Sequence, residues 1–342
     1  MPADPAHDEL VCWAVSDGRA GMENQALGLA EAVARRMPPE LKLRIETRRA
    51  RLREPWRRLP RRLTPAPWSL AEWDAPARAA SPDLWIGCGR QAAALAAALK
   101  ARAPRAFVVQ TQHPRGDLSA FDLIVSPRHD GCVGDNVFPI VGSPNRIERA
   151  AIERSAARLL ERIPAARAAP RRIAVLVGGP SKAYAFGNED AQDLAAAIAE
   201  APPDAFVLAT TSRRTPATLR DALKAALSER AHEVYSPTDE TSEDNPYPAL
   251  LGAVDAVLVT ADSVNMIAEA ATAGAPTWIL PLRPKGRRAA KFELFQSQMV
   301  AGGWADFWRS GGDWTTSGQN PSTSFDETDR AAQEILRRWS PA

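Results

Sequence analysis

Several stretches of this sequence carry more polar side chains than a turn needs, and each follows a short apolar run. The first is Ser16-Asp17-Gly18-Arg19-Ala20-Gly21-Met22-Glu23-Asn24-Gln25. Gly18 and Gly21 stand three apart. A glycine turn that runs into a helix start exposes backbone N–H groups, which favour anions and polar ligands. Asp17 is the first candidate for a general base, since a carboxylate placed there can take a proton from a bound hydroxyl. Gly18, Gly21, Asn24 and Gln25 are candidates for the wall around it. A plain tight turn accounts for the glycines but not for Asp17, Glu23, Asn24 and Gln25 crowding together.

Further along stand Cys88-Gly89-Arg90, then Gln110 before His113, then Pro127-Arg128-His129-Asp130. Arg90 and Gln110 are polar candidates for the same ligand face. The adjacent His129–Asp130 pair can serve as a base with its orienter or as half of a metal site. Four scattered histidines offer no ligand pair on one helical face, so no metal is expected. Neither GxGxxG nor GxxxxGK[ST] occurs, which argues against a nicotinamide dehydrogenase and a P-loop enzyme.

The C-terminal half is more specific. Gly178-Gly179-Pro180-Ser181-Lys182 gives a backbone that can approach a phosphate, with Lys182 supplying charge. Ser212-Arg213-Arg214-Thr215-Pro216 places two guanidinium groups between hydroxyls, which suits a diphosphate; a solvated arginine pair is the plainer reading. Thr260-Ala-Asp262-Ser263-Val-Asn265-Met266-Ile-Ala-Glu269 opens a helix whose N-terminus again favours phosphate. Glu269 lies one to two turns further on, where a carboxylate can hold sugar hydroxyls. Gly274 then breaks that helix and Pro276 leads into the next strand.

These groups need strands to present them. Apolar runs at 10–16, 41–47, 83–87, 106–110, 121–126 and 137–141 read as strands, and 25–37, 91–103 and 146–163 as helices. Residues 48–80 show no clean period. Pro164-Ala-Ala-Arg-Ala-Ala-Pro170 reads as a linker. The pattern then restarts, with strands at 172–177, 206–210, 232–235, 254–260 and 276–280. Helices alternate with them at 189–200, 215–228, 247–252, 263–273, 289–301 and 327–339, and 309–326 reads as a loop. Such alternation predicts an α/β protein: two Rossmann-like domains, 1–163 and 171–342, with parallel sheets facing a cleft. Ligands in such sheets sit beyond the strand C-termini, where the motifs above lie.

The segment Ser263-x5-Glu269-x4-Gly274-x-Pro276 resembles the nucleotide-binding helix of GT-B glycosyltransferases, and Gly178-Gly179 resembles the glycine loop that opens their second domain. A second resemblance covers nearly the whole chain. Asp17-Gly18-x-x-Gly21-x-x-Asn24-Gln25, Cys88-Gly89-Arg90, Pro127-x-His129-Asp130, Gly178-Gly179-Pro180, Ser212-Arg213-Arg214-Thr215-Pro216 and Val259-Thr260-x-Asp262-Ser263-x-x-Met266-x-x-Glu269 are similar to the mitochondrial-fission "elongated mitochondria" family.

Together the resemblances imply a metal-independent, cofactor-free glycosyltransferase with a nucleotide-diphosphate sugar as donor. The donor side would comprise Gly178, Gly179, Ser181, Lys182, Ser212, Arg213, Arg214, Thr260, Asp262, Ser263, Asn265, Met266 and Glu269. The N-terminal domain would take the acceptor, with Asp17 as base and Asp130 or His129 as the alternative. The last helix would cross back to that domain. Two other readings stay open: a sugar-nucleotide epimerase using Asp17, Glu23 and Asp130, and a non-catalytic adaptor that recruits a partner.

Composition sets the remaining bounds. The chain has 342 residues, 45% of them apolar and 25% charged, enough for two cores. No apolar stretch approaches a membrane span, and no basic stretch precedes an apolar one at the start, so neither a span nor a signal peptide is expected. Three cysteines without CxxC spacing fit a reducing compartment, so a cytoplasmic location is expected.

The net charge of +2 hides an asymmetry. Residues 35–62 hold twelve Lys/Arg against three Asp/Glu, an excess of nine, so the remainder carries −7. Arg53, Trp56, Arg57, Arg58, Arg61, Arg62 and Trp68 combine arginine with tryptophan, the composition of a surface that meets anionic lipid. Taken with the resemblance to GT-B glycosyltransferases, they imply a peripheral site on the inner face of the cell membrane and a lipid-linked acceptor. The acidic remainder argues against nucleic acid.

Overall fold

The computed structural model describes residues 9–59, 67–74, 81–236, 246–314 and 324–340. The chain forms two compact units, Met1–Arg146 with Asp326–Ala342, and Ile147–Phe325.

In the first unit the strands are β1 (Glu9–Ser16), β2 (Lys42–Leu52), β3 (Ala71–Trp73), β4 (Leu84–Cys88), β5 (Phe107–Thr111), β6 (Leu123–Pro127) and β7 (Val137–Ile140). Among the described residues they form one sheet in the order β3-β2-β1-β4-β5-β6-β7, parallel except where β3 runs against β2. Helices α1 (Ala20–Arg36) and α2 (Gly89–Leu99) follow β1 and β4. The two faces of β1 show why its sequence is continuously apolar. Leu10, Cys12 and Ala14 enter the core beneath α1, while Val11, Trp13 and Val15 enter the core beneath α2. Alternate residues point to opposite faces, and both faces of a central parallel strand are covered.

The second unit begins with α3 (Arg149–Arg162) and α4 (Pro164–Ala168). Its strands are β8 (Arg171–Val177), β9 (Ala205–Thr211), β10 (His232–Tyr235), β11 (Ala256–Thr260), β12 (Thr277–Leu280) and β13 (Asp306–Phe307). They form a parallel sheet in the order β10-β9-β8-β11-β12-β13. The helices between them are α5 (Asn188–Ala199), α6 (Ala217–Leu227), α7 (Tyr247–Gly252), α8 (Val264–Ala273) and α9 (Ala290–Ala301). The last helix, α10 (Glu327–Arg338), belongs to the first unit. Ala331, Ala332, Ile335 and Trp339 join the core beneath α1, and Glu327 accepts the Val141 N–H at 2.9 Å.

Several boundaries differ from the sequence reading for identifiable reasons. The stretch expected as a linker is in part a helix, α4, with Ala166 fully buried. Helix α1 starts five residues before the expected Gln25. Gly18 takes φ +83° and makes the turn alone, and the Asp17 carboxylate accepts the Arg19 N–H at 3.3 Å. Met22 to Gln25 therefore lie on a helix rather than in a loop. Strand β2 continues to Leu52 through a region of no clear period. Ala50 and Leu52 face the core there, and the buried Arg48 guanidinium lies over the Trp13 and Trp73 rings at 4.7 and 4.8 Å. Cation–π stacking lets an arginine occupy a position that a hydropathy pattern reads as outward-facing.

Candidate functional site

The C-terminal ends of β9, β8 and β11 are neighbours in the second unit, so the three motifs of its sequence come together. The Gly178 N–H donates to Thr260 Oγ1 at 2.8 Å, the Gly179 N–H to Asp262 Oδ2 at 3.1 Å, and Thr260 Oγ1 to Asp262 Oδ1 at 2.7 Å. A Cβ on Gly178 would stand 2.2 Å from Asp262 Oδ1, and one on Gly179 would stand 2.6 Å from the Arg214 backbone. The glycine pair was expected to bring its amides to a phosphate. Its amides are instead taken up by Thr260 and Asp262, and its lack of side chains permits close packing of β8 on the other two strand ends. Burial pushes the Asp262 carboxyl up to about 6, against the opposing hydrogen bonds from Thr260 and Gly179 and the Arg214 charge.

Ser181 is likewise engaged, with Oγ accepting the Ala183 and Tyr184 N–H groups at 3.0 and 3.2 Å. Ser212 Oγ accepts the Arg214 N–H at 3.2 Å, and Thr215 Oγ1 donates to the Gly178 carbonyl at 2.6 Å. These contacts leave Lys182, Arg213 and Arg214 as exposed cations around the turn. Arg214 is anchored by one N–H on the Pro180 carbonyl at 3.1 Å. Ser263 caps α8, accepting the Met266 N–H at 3.3 Å, and Asn265 and Met266 lie partly buried in its first turn. Glu269 sits further along α8 and accepts the Tyr247 hydroxyl at 2.8 Å through Oε2. Burial pushes its carboxyl up to about 7, despite the Tyr247 hydrogen bond that favours the charged form. A helix start, three cations and a carboxylate held in place can neutralise a diphosphate and accept hydrogen bonds from a sugar diol.

In the first unit, Asp17, Arg19, Arg51, Arg57, Arg90 and Gln91 line a pocket of about 350 Å³. Asp17 is buried and ion-paired with Arg19 at 2.5 Å. Gln91 ties the wall together, donating to Asp17 Oδ2 at 3.3 Å while accepting the Leu52 N–H at 2.7 Å. Burial alone would raise the Asp17 carboxyl. The Arg19 hydrogen bonds and charge, with Gln91, outweigh it and hold Asp17 below its ordinary 3.8. It is therefore ionised at neutral pH, and Oδ2 carries the stronger contacts.

The other sequence candidates divide. Arg90 lines the pocket, and Gly18 forms the turn at its edge. Gly21 and Asn24 are partly buried on α1. Gln25 and Gln110 are buried and serve internal contacts. Gln25 Oε1 accepts from Gln112 at 3.0 Å, and the Gln110 amide donates to the Thr111 carbonyl at 2.8 Å. His129 and Asp130 form a turn after β6, three strands from β1. At ~4.8 Å per strand that is about 14 Å from Asp17, so they do not share its pocket. Glu23 is paired with Arg49 at 2.6 Å. Of the three carboxylates an epimerase would use, Asp130 thus stands apart from Asp17. Arg19, Arg51, Arg57 and Gln91 were not singled out as pocket residues. Arg19 stands inside the first motif, but Arg51 and Gln91 reach it only through strand adjacency.

The expected membrane face is altered in its aromatic part. Trp68 packs against Trp13, Trp73 and Trp85, with ring centroids 6.4, 5.2 and 6.4 Å away, and its N–H donates to the Leu95 carbonyl at 3.1 Å. Trp56 is half-buried on the same cluster. Arg53, Arg57 and Arg58 are exposed but paired with Glu72 or Glu54. Arg61 and Arg62 lie outside the described residues. Both tryptophans pack partly buried against a core, which leaves less of their indole surface for a lipid than the sequence reading expects. No described helix is long and apolar enough to cross a membrane.

A model of the family described as mitochondrial fission ELM1 matches residues 20–339. The chain belongs to that family. It is 28% identical over 225 residues to mitochondrial fission protein ELM1 of Arabidopsis thaliana, a match that takes in 58% of this chain and 51% of the plant protein. The chain thus spans about half the length of that relative. An uncharacterized protein of Rickettsia prowazekii is 28% identical over 257 residues, 64% of this chain and 70% of that one. Among solved structures, UDP-GlcNAc 2-epimerase of Methanocaldococcus jannaschii aligns over 96% of this chain and 99% of its own, at 10% identity and a TM-score of 0.50. MurG of Acinetobacter baumannii aligns over the same shares at 13% identity and a TM-score of 0.48. The fold is the GT-B class of paired α/β units with parallel sheets, as the sequence pattern implied. The similarity to the solved structures is one of fold alone.

Proposed function

We propose that this family member is a metal-independent glycosyltransferase that binds a nucleotide-diphosphate sugar in its second unit and an acceptor in its first. The observation that carries this reading is the pairing of the α8 start with Glu269. Six residues separate Ser263 from Glu269, about 9 Å along a helix, a span that accommodates the diphosphate and ribose of one nucleotide. Lys182, Arg213 and Arg214 neutralise the leaving diphosphate in place of a metal. Glu269, oriented by Tyr247, accepts the ribose hydroxyls. Asp17, ionised at neutral pH, is the base that receives the acceptor's proton.

Transfer is favoured over epimerisation because Asp130, three strands from β1, stands apart from Asp17. Incubation with nucleotide sugars in deuterium oxide tests this choice. Transfer or slow hydrolysis releases the nucleoside diphosphate with no deuterium in the recovered sugar nucleotide. Deuterium at a ring carbon would overturn the choice.

A further inference from the structure

We propose that the Arg19–Arg51–Arg57–Arg90 pocket of the first unit binds the phosphate of a phosphorylated ligand. Four guanidinium groups and a single carboxylate, Asp17, surround about 350 Å³. That volume lies at the lower end of small-ligand sites, roughly 300–1,000 Å³. Asp17 is already engaged by Arg19 and Gln91. Arg57 has Glu54 at 3.2 Å, but Arg51 and Arg90 make no ion pair with a carboxylate within 4.0 Å among the described residues. Like charges around one small volume repel, and an anion placed among them turns that cost into attraction.

The arginines are also held in place. Arg51 donates through Nε to the Asp17 carbonyl at 3.3 Å. Arg90 donates through Nη1 to the carbonyls of Arg58 and Leu59 at 3.2 and 3.1 Å. Backbone carbonyls fix these side chains without neutralising them, and each guanidinium keeps further N–H donors for a ligand. Helices α1 and α2 start at adjacent strands, and neither N-cap residue, Arg19 or Cys88, supplies a side-chain cap. Their helix starts add positive potential at the same end of the sheet. Several guanidinium groups around one site match a multiply charged oxyanion better than a single carboxylate. On the transfer reading, the acceptor is then a phosphorylated molecule. The pocket itself does not depend on that reading, since it lies in the other unit.

The test is calorimetric titration of the full chain with inorganic pyrophosphate, every protein carrying K182A/R213A/R214A so that the cations assigned to the donor diphosphate do not bind the probe; wild type here means the unaltered pocket on that background. R51A/R90A is expected to bind roughly 30- to 100-fold more weakly, from the loss of charge-assisted hydrogen bonds. R287A/R288A removes the same charge from an exposed turn and is expected to bind within threefold of wild type. If the double variant does not fold, R90Q is measured, with roughly tenfold weakening expected. No binding by wild type, or a pocket variant within threefold of it, overturns the proposal. Vesicles of phosphatidate or phosphatidylserine, matched in charge, separate the sources. Capture by phosphatidate alone assigns a lipid headgroup. No capture, with pyrophosphate still bound, assigns a soluble phosphorylated ligand. Equal capture by both, undiminished in R51A/R90A, marks a nonspecific charged surface and overturns the proposal. Nucleotide-sugar binding is read separately in Glu269→Ala, so failure of the donor site and failure of this pocket are distinguishable.

Discussion

The two units place opposite chemistry at the same topological position. Beyond β1, the first strand of the first unit, one buried carboxylate is held ionised by an arginine, and three further arginines line the pocket. Beyond β8, the first strand of the second unit, the glycine amides are satisfied internally and two carboxyls near it, Asp262 and Glu269, are pushed up by burial. The contrast teaches that a glycine turn after a parallel strand does not by itself make an anion site. Which groups the neighbouring strand ends contribute decides whether the turn faces a ligand or packs against its own protein.

The comparison can be broken most forcefully through the cores behind the two sites. Trp68→Ala removes an aromatic packed against three other tryptophans and is expected to cost about 3 kcal/mol in urea denaturation. A Trp68→Ala protein of unchanged stability but weakened vesicle binding would restore the membrane face. Gly178→Ala drives a Cβ into Asp262 and is expected to cost about 2 kcal/mol. Unchanged stability would show that the turn is open to a ligand after all.

Titration sharpens the same contrast. The Asp17 carboxyl is lower in the folded protein than its ordinary value, so its contribution is present above pH 3.8 and is lost as pH falls further. Glu269 behaves in the opposite sense. Its folded value of about 7 exceeds its ordinary 4.5, so its protonated form favours the fold below pH 4.5, and that contribution is lost as pH rises towards 7. Urea denaturation of Glu269→Gln is expected to lose this part of the pH dependence. An unaltered profile would show that Glu269 is not held in a low-dielectric site. Because a diol donates to the charged carboxylate, nucleotide-sugar affinity is expected to rise several-fold from pH 6 to 8. The smallest effect is expected from Ser263→Ala, about 1 kcal/mol from the loss of one helix cap.

How far each region could be read from sequence follows from how local it is. Thr260 to Glu269 lie within one strand end and one helix, so their spacing alone places cap and carboxylate. The first pocket draws Arg19, Arg51, Arg57 and Arg90 from the ends of β1, β2 and β4 and the segment after β2. Those ends meet only because β1 pairs with both β2 and β4. The arginine-rich end of β2 also has no hydropathy period, because Arg48 points inward onto indole rings. Composition showed arginine and tryptophan together but not their direction. The arginines largely pair or line a pocket, and the tryptophans pack partly buried against the core.

The central claim is that Glu269 and the α8 start form a nucleotide-sugar site. The direct measurement is equilibrium binding of uridine, guanosine and thymidine diphosphate sugars to wild type and Glu269→Ala, with circular dichroism to confirm folding. At least one sugar nucleotide is expected to bind, and the folded variant to bind it about tenfold or more weakly. Equal binding by the variant, or no binding by wild type across the panel, would contradict the claim.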